Sequence, residues 1–177
     1  VLSRGDFRAA GLKWDGRNPS QPKWDTPSAI ATAAPLQAIV PVSATVYWPG
    51  NLSAAWFWLK RSQYASSSQT AGTLFSQETA LLSRRRQTRL WAWGLDDGKP
   101  YWDRQINAPN GGEITGTPSQ EMAVGLCQDP DLDYLIFPAS KKNTARITFE
   151  SPFSKKRRLE LIDCRNVRHF AAPGTGA

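Results

Sequence analysis

Residues 40–48, VPVSATVYW, alternate along their length: Val40, Val42, Ala44, Val46 and Trp48 share one parity, and Pro41, Ser43, Thr45 and Tyr47 the other. A period of two matches the pleat of a strand with one inward face and one half-polar face. Pro49-Gly50-Asn51 follows as a turn. The aromatic segment LSAAWFWLKR beyond it reads as the second arm of a β-hairpin, with a short helix capped by Ser53 as the alternative. The same grammar continues through TRLWAW, the Asp96-Asp97-Gly98 turn, KPYWDRQI and the Asn110-Gly111-Gly112 turn. In the last third, EMAVGLC, DYLIFPA, TARITFE and RRLELIDC are short segments set apart by turn-forming and basic residues. In TARITFE, Ala145, Ile147 and Phe149 face one way and Arg146, Thr148 and Glu150 the other. Convincing helix is confined to QETALLS after a capping Ser76. Many short strands at close spacing predict an all-β fold, an antiparallel β-sandwich of jelly-roll type with at most one or two short helices.

At 177 residues the chain has room for one full-sized domain plus tails. Pro19, Pro22, Pro27 and Pro35 interrupt the start, where no sustained apolar period appears, so residues 1–35 are expected to form an extended N-terminal arm. Within it, GLKWDGRNPSQPKWDTPS carries Lys-Trp-Asp twice, and Trp14 and Trp24 are its candidate docking anchors. Residues 36–170 form the single β-sandwich domain and 171–177 a flexible C-terminal tail. No window approaches the roughly 18 apolar residues of a membrane span, so no membrane partner is expected. A start at Val1 is what processing from a larger precursor leaves, and localisation is not set by the sequence.

Catalysis needs titratable groups that converge, and this chain is poor in them. His169 is the single histidine, and no nucleophile-elbow pattern accompanies it. Cys127, Cys164 and His169 lack the paired spacing and the fourth ligand of a zinc site. Asp129, Asp131 and Asp133 form a D-x-D-x-D run, but Tyr134 stands where a calcium loop needs glycine, so an acidic turn is the better reading. No phosphate-binding glycine loop or dinucleotide fingerprint is present. A non-enzymatic chain without a cofactor or metal is therefore expected. Cys127 and Cys164 are compatible with one disulfide closing a large loop, and equally with two buried thiols. The sequon at Asn51 and the Arg4-Gly5-Asp6 triplet are matches of the kind that arise by chance.

The net charge of +7 favours a polyanionic partner. Arg84, Arg85, Arg86 and Arg89 run into Leu90-Trp91, and Lys155, Lys156, Arg157 and Arg158 lie at the mouth of a strand. Guanidiniums pair with phosphate and aromatic faces stack on bases, so these eight residues are the candidate nucleic-acid contacts, without sequence specificity. On strands, the pairs Trp56/Trp58 and Trp91/Trp93 would each share one sheet face and form an aromatic platform. The expected architecture resembles the jelly-roll coat proteins of small viruses, which implies a capsid subunit in a virion. Its arm would dock on neighbouring shell subunits in a homo- or hetero-oligomer, and its basic loops would contact packaged RNA or DNA. The alternative is a secreted, lectin-like carbohydrate-binding sandwich that uses the tryptophan platform.

Overall fold

A computed structural model of the chain describes residues 24, 26–66, 69, 73, 75–95, 118–139, 147–152 and 154–171. In chain order the elements are helix α1 (Pro27–Ile39), strand β1 (Thr45–Tyr47), a π-helix (Ala54–Leu59), β2 (Ser62–Gln63), α2 (Gln77–Ala92) and α3 (Gln120–Cys127). They continue with β3 (Tyr134–Pro138), β4 (Ile147–Ser151), β5 (Ser154–Asp163) and α4 (Cys164–Ala171). The strands form one open sheet in the order β2-β1-β3-β5-β4. Its β2-β1-β3 part is parallel, and β3-β5-β4 is antiparallel.

The domain is therefore a mixed α/β fold, and the expected all-β jelly-roll sandwich is wrong. With it fall the capsid and lectin readings that rested on that architecture. Four segments account for the difference. Pro27 sits in the first turn of α1, where its fixed φ and missing N–H cost nothing, and the Thr26 hydroxyl accepts from the Ala29 amide at 3.2 Å. Pro35 lies on the exposed side of that helix, where water can satisfy the carbonyl that loses its donor. Residues 27–35 are thus helix and not extended arm. WFW lies in the π-helix and not in a hairpin strand, and this helix stops at Lys60, whose left-handed φ of 59° lets the Arg61 amide donate to Ala55 O at 2.9 Å. The helix begun at Ser76 does not end at Ser83; it runs through the arginines and LWA to Gly94, whose φ of 70° and amide bond to Trp91 O, 2.8 Å, close it. EMAVGLC is helix α3, capped by the Ser119 hydroxyl on the Met122 amide at 3.0 Å.

The sheet is covered on both faces, so its central strand reads as a continuous apolar run, YLIF, without alternation. Val46, Tyr134, Ile136, Leu159 and Leu161 point to one side, where they meet Ala33 and Leu36 of α1 and Ala54, Ala55, Trp58 and Leu59 of the π-helix. Tyr47, Leu135, Phe137 and Ile162 point to the other, against Leu90 of α2, Ala123, Leu126 and Cys127 of α3, and Cys164 of α4. Buried Arg61 ties the first layer together, donating to the carbonyls of Val40, Gln37, Leu59 and Lys60 and so capping the ends of α1 and the π-helix. The Cys127 and Cys164 sulfurs are bonded, both residues are fully buried, and the link joins the end of α3 to the start of α4.

Candidate interaction site

Three of the four arginines of α2, Arg85, Arg86 and Arg89, meet an acidic turn on the second face of the sheet. Tyr64 leaves β2 with its ring buried edge-on against Tyr47, and its hydroxyl donates to Asp129 Oδ2 at 2.7 Å. Asp129 is 1 % exposed; its other oxygen accepts from the Asp131 amide at 3.0 Å, which folds residues 129–131 into a tight turn. Arg89 Nε lies 3.6 Å from Asp129 Oδ2, and Arg85 Nη2 3.7 Å from Oδ1. Arg85 also pairs closely with Asp131, and Arg86 Nη2 stands 3.5 Å from the same carboxylate. The Arg86 guanidinium covers the Tyr64 ring at 4.7 Å and donates to Tyr64 O at 2.9 Å.

Burial alone would push the Asp129 carboxyl up, but the Tyr64 hydroxyl, the Asp131 amide and the Arg85 and Arg89 charges outweigh it and hold the carboxyl below its usual range. The Tyr64 phenol is driven up, first by burial and then by its bond to Asp129. From the far side Arg168 of α4 donates through one nitrogen to Cys127 O at 2.8 Å and to Asp129 O and Leu132 O at 3.1 Å each. The turn is held by a disulfide at its root, by Arg168 beneath and by α2 above.

Chemically the cluster is spent on itself. Its carboxylates are ion-paired, its phenol is a committed donor, and no group is left poised as a base. The Asp133 carboxylate departs from the other two and accepts from the Thr45 amide at 2.8 Å. Among the described residues no three acidic, histidine or cysteine side chains gather as metal ligands. His169 is exposed in the last turn of α4.

The predicted site residues separate. Arg84, Arg85, Arg86 and Arg89 lie together on α2, which continues as helix through Leu90 and Trp91 where a strand was expected, and Arg86 and Arg89 turn inward while Arg84 and Arg85 are exposed. Arg158 is on β5, where its Nη2 donates to Thr148 Oγ1 at 2.6 Å across the β4-β5 hairpin. Lys155, Lys156 and Arg157 belong to the β5 backbone, and their side chains lie outside the described residues, as do Trp14 and the Arg4-Gly5-Asp6 triplet. Trp24 packs half-buried against the first core.

Neither tryptophan pair forms a platform, because positions i and i+2 on a helix diverge. Trp56 is exposed while Trp58 is buried, stacked on Phe149 at 6.1 Å between ring centroids. Trp91 is exposed while Trp93 packs on the second core. Tyr64 and Arg168 carried no signal in the sequence, and Asp129 was legible as part of an acidic turn but not as the partner of the arginines. The one available signal was an arginine run at helical spacing behind a capping serine, which asks for an acidic partner elsewhere in the chain. Among the described residues no helix is long and apolar enough to cross a membrane. The chain matches no family model, and neither a curated protein nor a solved structure resembles it at a significant level.

Proposed function

We propose that this chain is a disulfide-stapled α/β interaction domain that works in an oxidising compartment and acts by holding a partner, not by catalysis. The fully buried Cys127–Cys164 bond carries the reading, since such bonds persist outside the reducing cytosol. The spent ionic cluster supports the non-catalytic part: Tyr64, Asp129 and Asp131 position backbone and helices, and the exposed charge beside them is arginine. The test is thiol trapping in the native cell, with mass measured before and after reduction. Both cysteines should resist alkylation until reductant and denaturant are added together. Two cysteines alkylated in the undisturbed cell would sink the reading.

A further inference from the structure

We propose that the outer face of α2 docks an acidic, amphipathic segment of a protein partner, a reading that rests on the interaction-domain assignment above. At about 100° per residue, Leu81, Arg84, Thr88 and Trp91 form one stripe about 15 Å long, with Arg85 at its border. All five are exposed, Leu81 at 59 % and Trp91 at 53 %, and Leu90 is the one fully buried residue among the helix's 16. The apolar contact of this helix with the second core is confined to its C-terminal end, at Leu90 and the capping Trp93. The rest of the helix is anchored by polar bonds from Arg86 to Tyr64 O and from Arg89 to Gly125 O, and by the ion pairs to the acidic turn. The outer side chains are thereby presented on a helix tied to the sheet, and a helix already formed lowers the entropic cost of binding.

Charge and shape select the occupant. Three arginines of the helix pair with the two carboxylates of the turn, Arg84 stands outside them, and the stripe itself carries arginine and no carboxylate. Arg84 has no hydrogen-bond or ion-pair partner among the described residues. Carboxylates suit these guanidiniums, since the planar fork accepts them in paired hydrogen bonds. Leu81 and Trp91 at the two ends of the stripe require apolar side chains spaced to match. A polypeptide that alternates acidic and apolar groups along a helix meets both demands. A phosphate polymer meets only the first and leaves Leu81 without a counterpart. Trp and Arg are also the side chains that most often dominate protein interfaces.

The test presents the full, oxidised chain to a random peptide library on phage, with a single-stranded oligonucleotide and phosphatidylglycerol vesicles as the other arms. Enriched peptides should be acidic, carry apolar residues at helical spacing and bind less tightly as salt rises. Arg84→Glu and Trp91→Ala should each weaken them by about tenfold or more, while Lys60→Glu should leave them unchanged. Both sensitive positions are exposed, and circular dichroism checks that the variants keep the fold. Enriched peptides without acidic residues, peptides indifferent to both substitutions, or Arg84-dependent binding of the oligonucleotide or vesicles alone would each overturn the docking proposal. Absence of binding to every probe does so as well. Such a failure with the disulfide intact leaves the compartment reading standing, whereas reduced cysteines in the cell sink that reading without touching α2.

Discussion

The two faces of the sheet are built on different principles. Under α1 and the π-helix the core is aromatic packing: Trp48 and Trp58 meet edge to face at 5.9 Å, and Phe149 lies within 6.3 Å of both ring centroids. Under α2, α3 and α4 the apolar core is supplemented by a disulfide, an arginine shared among three carbonyls and an ionic turn. Dispersion and apolar burial are indifferent to pH and redox state, whereas on the second face the disulfide answers to redox state and the Asp129 carboxylate to pH. Both faces bury an apolar core; the first adds one buried arginine, Arg61, and the second adds a bond and a carboxylate that respond to their surroundings.

The sharpest way to break this contrast is Trp58→Ala. Removing a fully buried indole should cost about 3–5 kcal/mol, equally in oxidised and reduced protein, as read by chemical denaturation. Replacing Cys127 and Cys164 by serine should cost about 2–4 kcal/mol, and the loss should vanish when wild type and variant are compared in reductant. A reductant-independent loss would show that the serines, not the missing bond, do the damage. Gly125→Ala places a Cβ within 2.0 Å of the Trp93 ring and should cost about 1–3 kcal/mol; Trp93→Leu in the same chain should restore part of it.

Asp129→Asn should cost about 1–3 kcal/mol at neutral pH by weakening the bonds that fix the turn. Because the folded carboxyl titrates below its unfolded value of about 3.9, its contribution is complete above that pH and is lost as pH falls through the lower folded value. The variant should therefore show a flatter melting temperature against pH in the acid range. An unchanged slope would place the acid sensitivity elsewhere.

Much of the sheet was legible. Gly50, at a φ of 67°, turns the chain where Pro-Gly-Asn predicts it, DYLIFPA contains β3, and TARITFE and RRLELIDC cover most of β4 and β5, which end at Ser151 and begin at Ser154 respectively. The helices were not, and the reasons are physical. EMAVGLC is too short for its period to separate a buried strand from a helix. In α2, TRLWAW has strand-like composition, but a helix already nucleated at Ser76 extends into it for one hydrogen bond per residue. Counted as breakers, the prolines of α1 concealed a start signal. The arginines of the site were visible and their partners were not, because Asp129 and Asp131 reach α2 through tertiary packing. Parallel pairing of β1 with β2 and β3 is likewise long-range, and the local pattern of neither strand encodes it.

The three-carbonyl grip of Arg168 and the bond from Cys164 have a consequence in time. Residues 127–132 are synthesised well before residues 164–168, yet those later residues complete the lock on the turn. A ribosome that has released only the arginine helix and its acidic turn has not yet released the parts that secure them. Closure of the Cys127–Cys164 bond is thus the last step in fixing the turn, and until residues 164–168 emerge the turn has neither the bond nor the Arg168 grip.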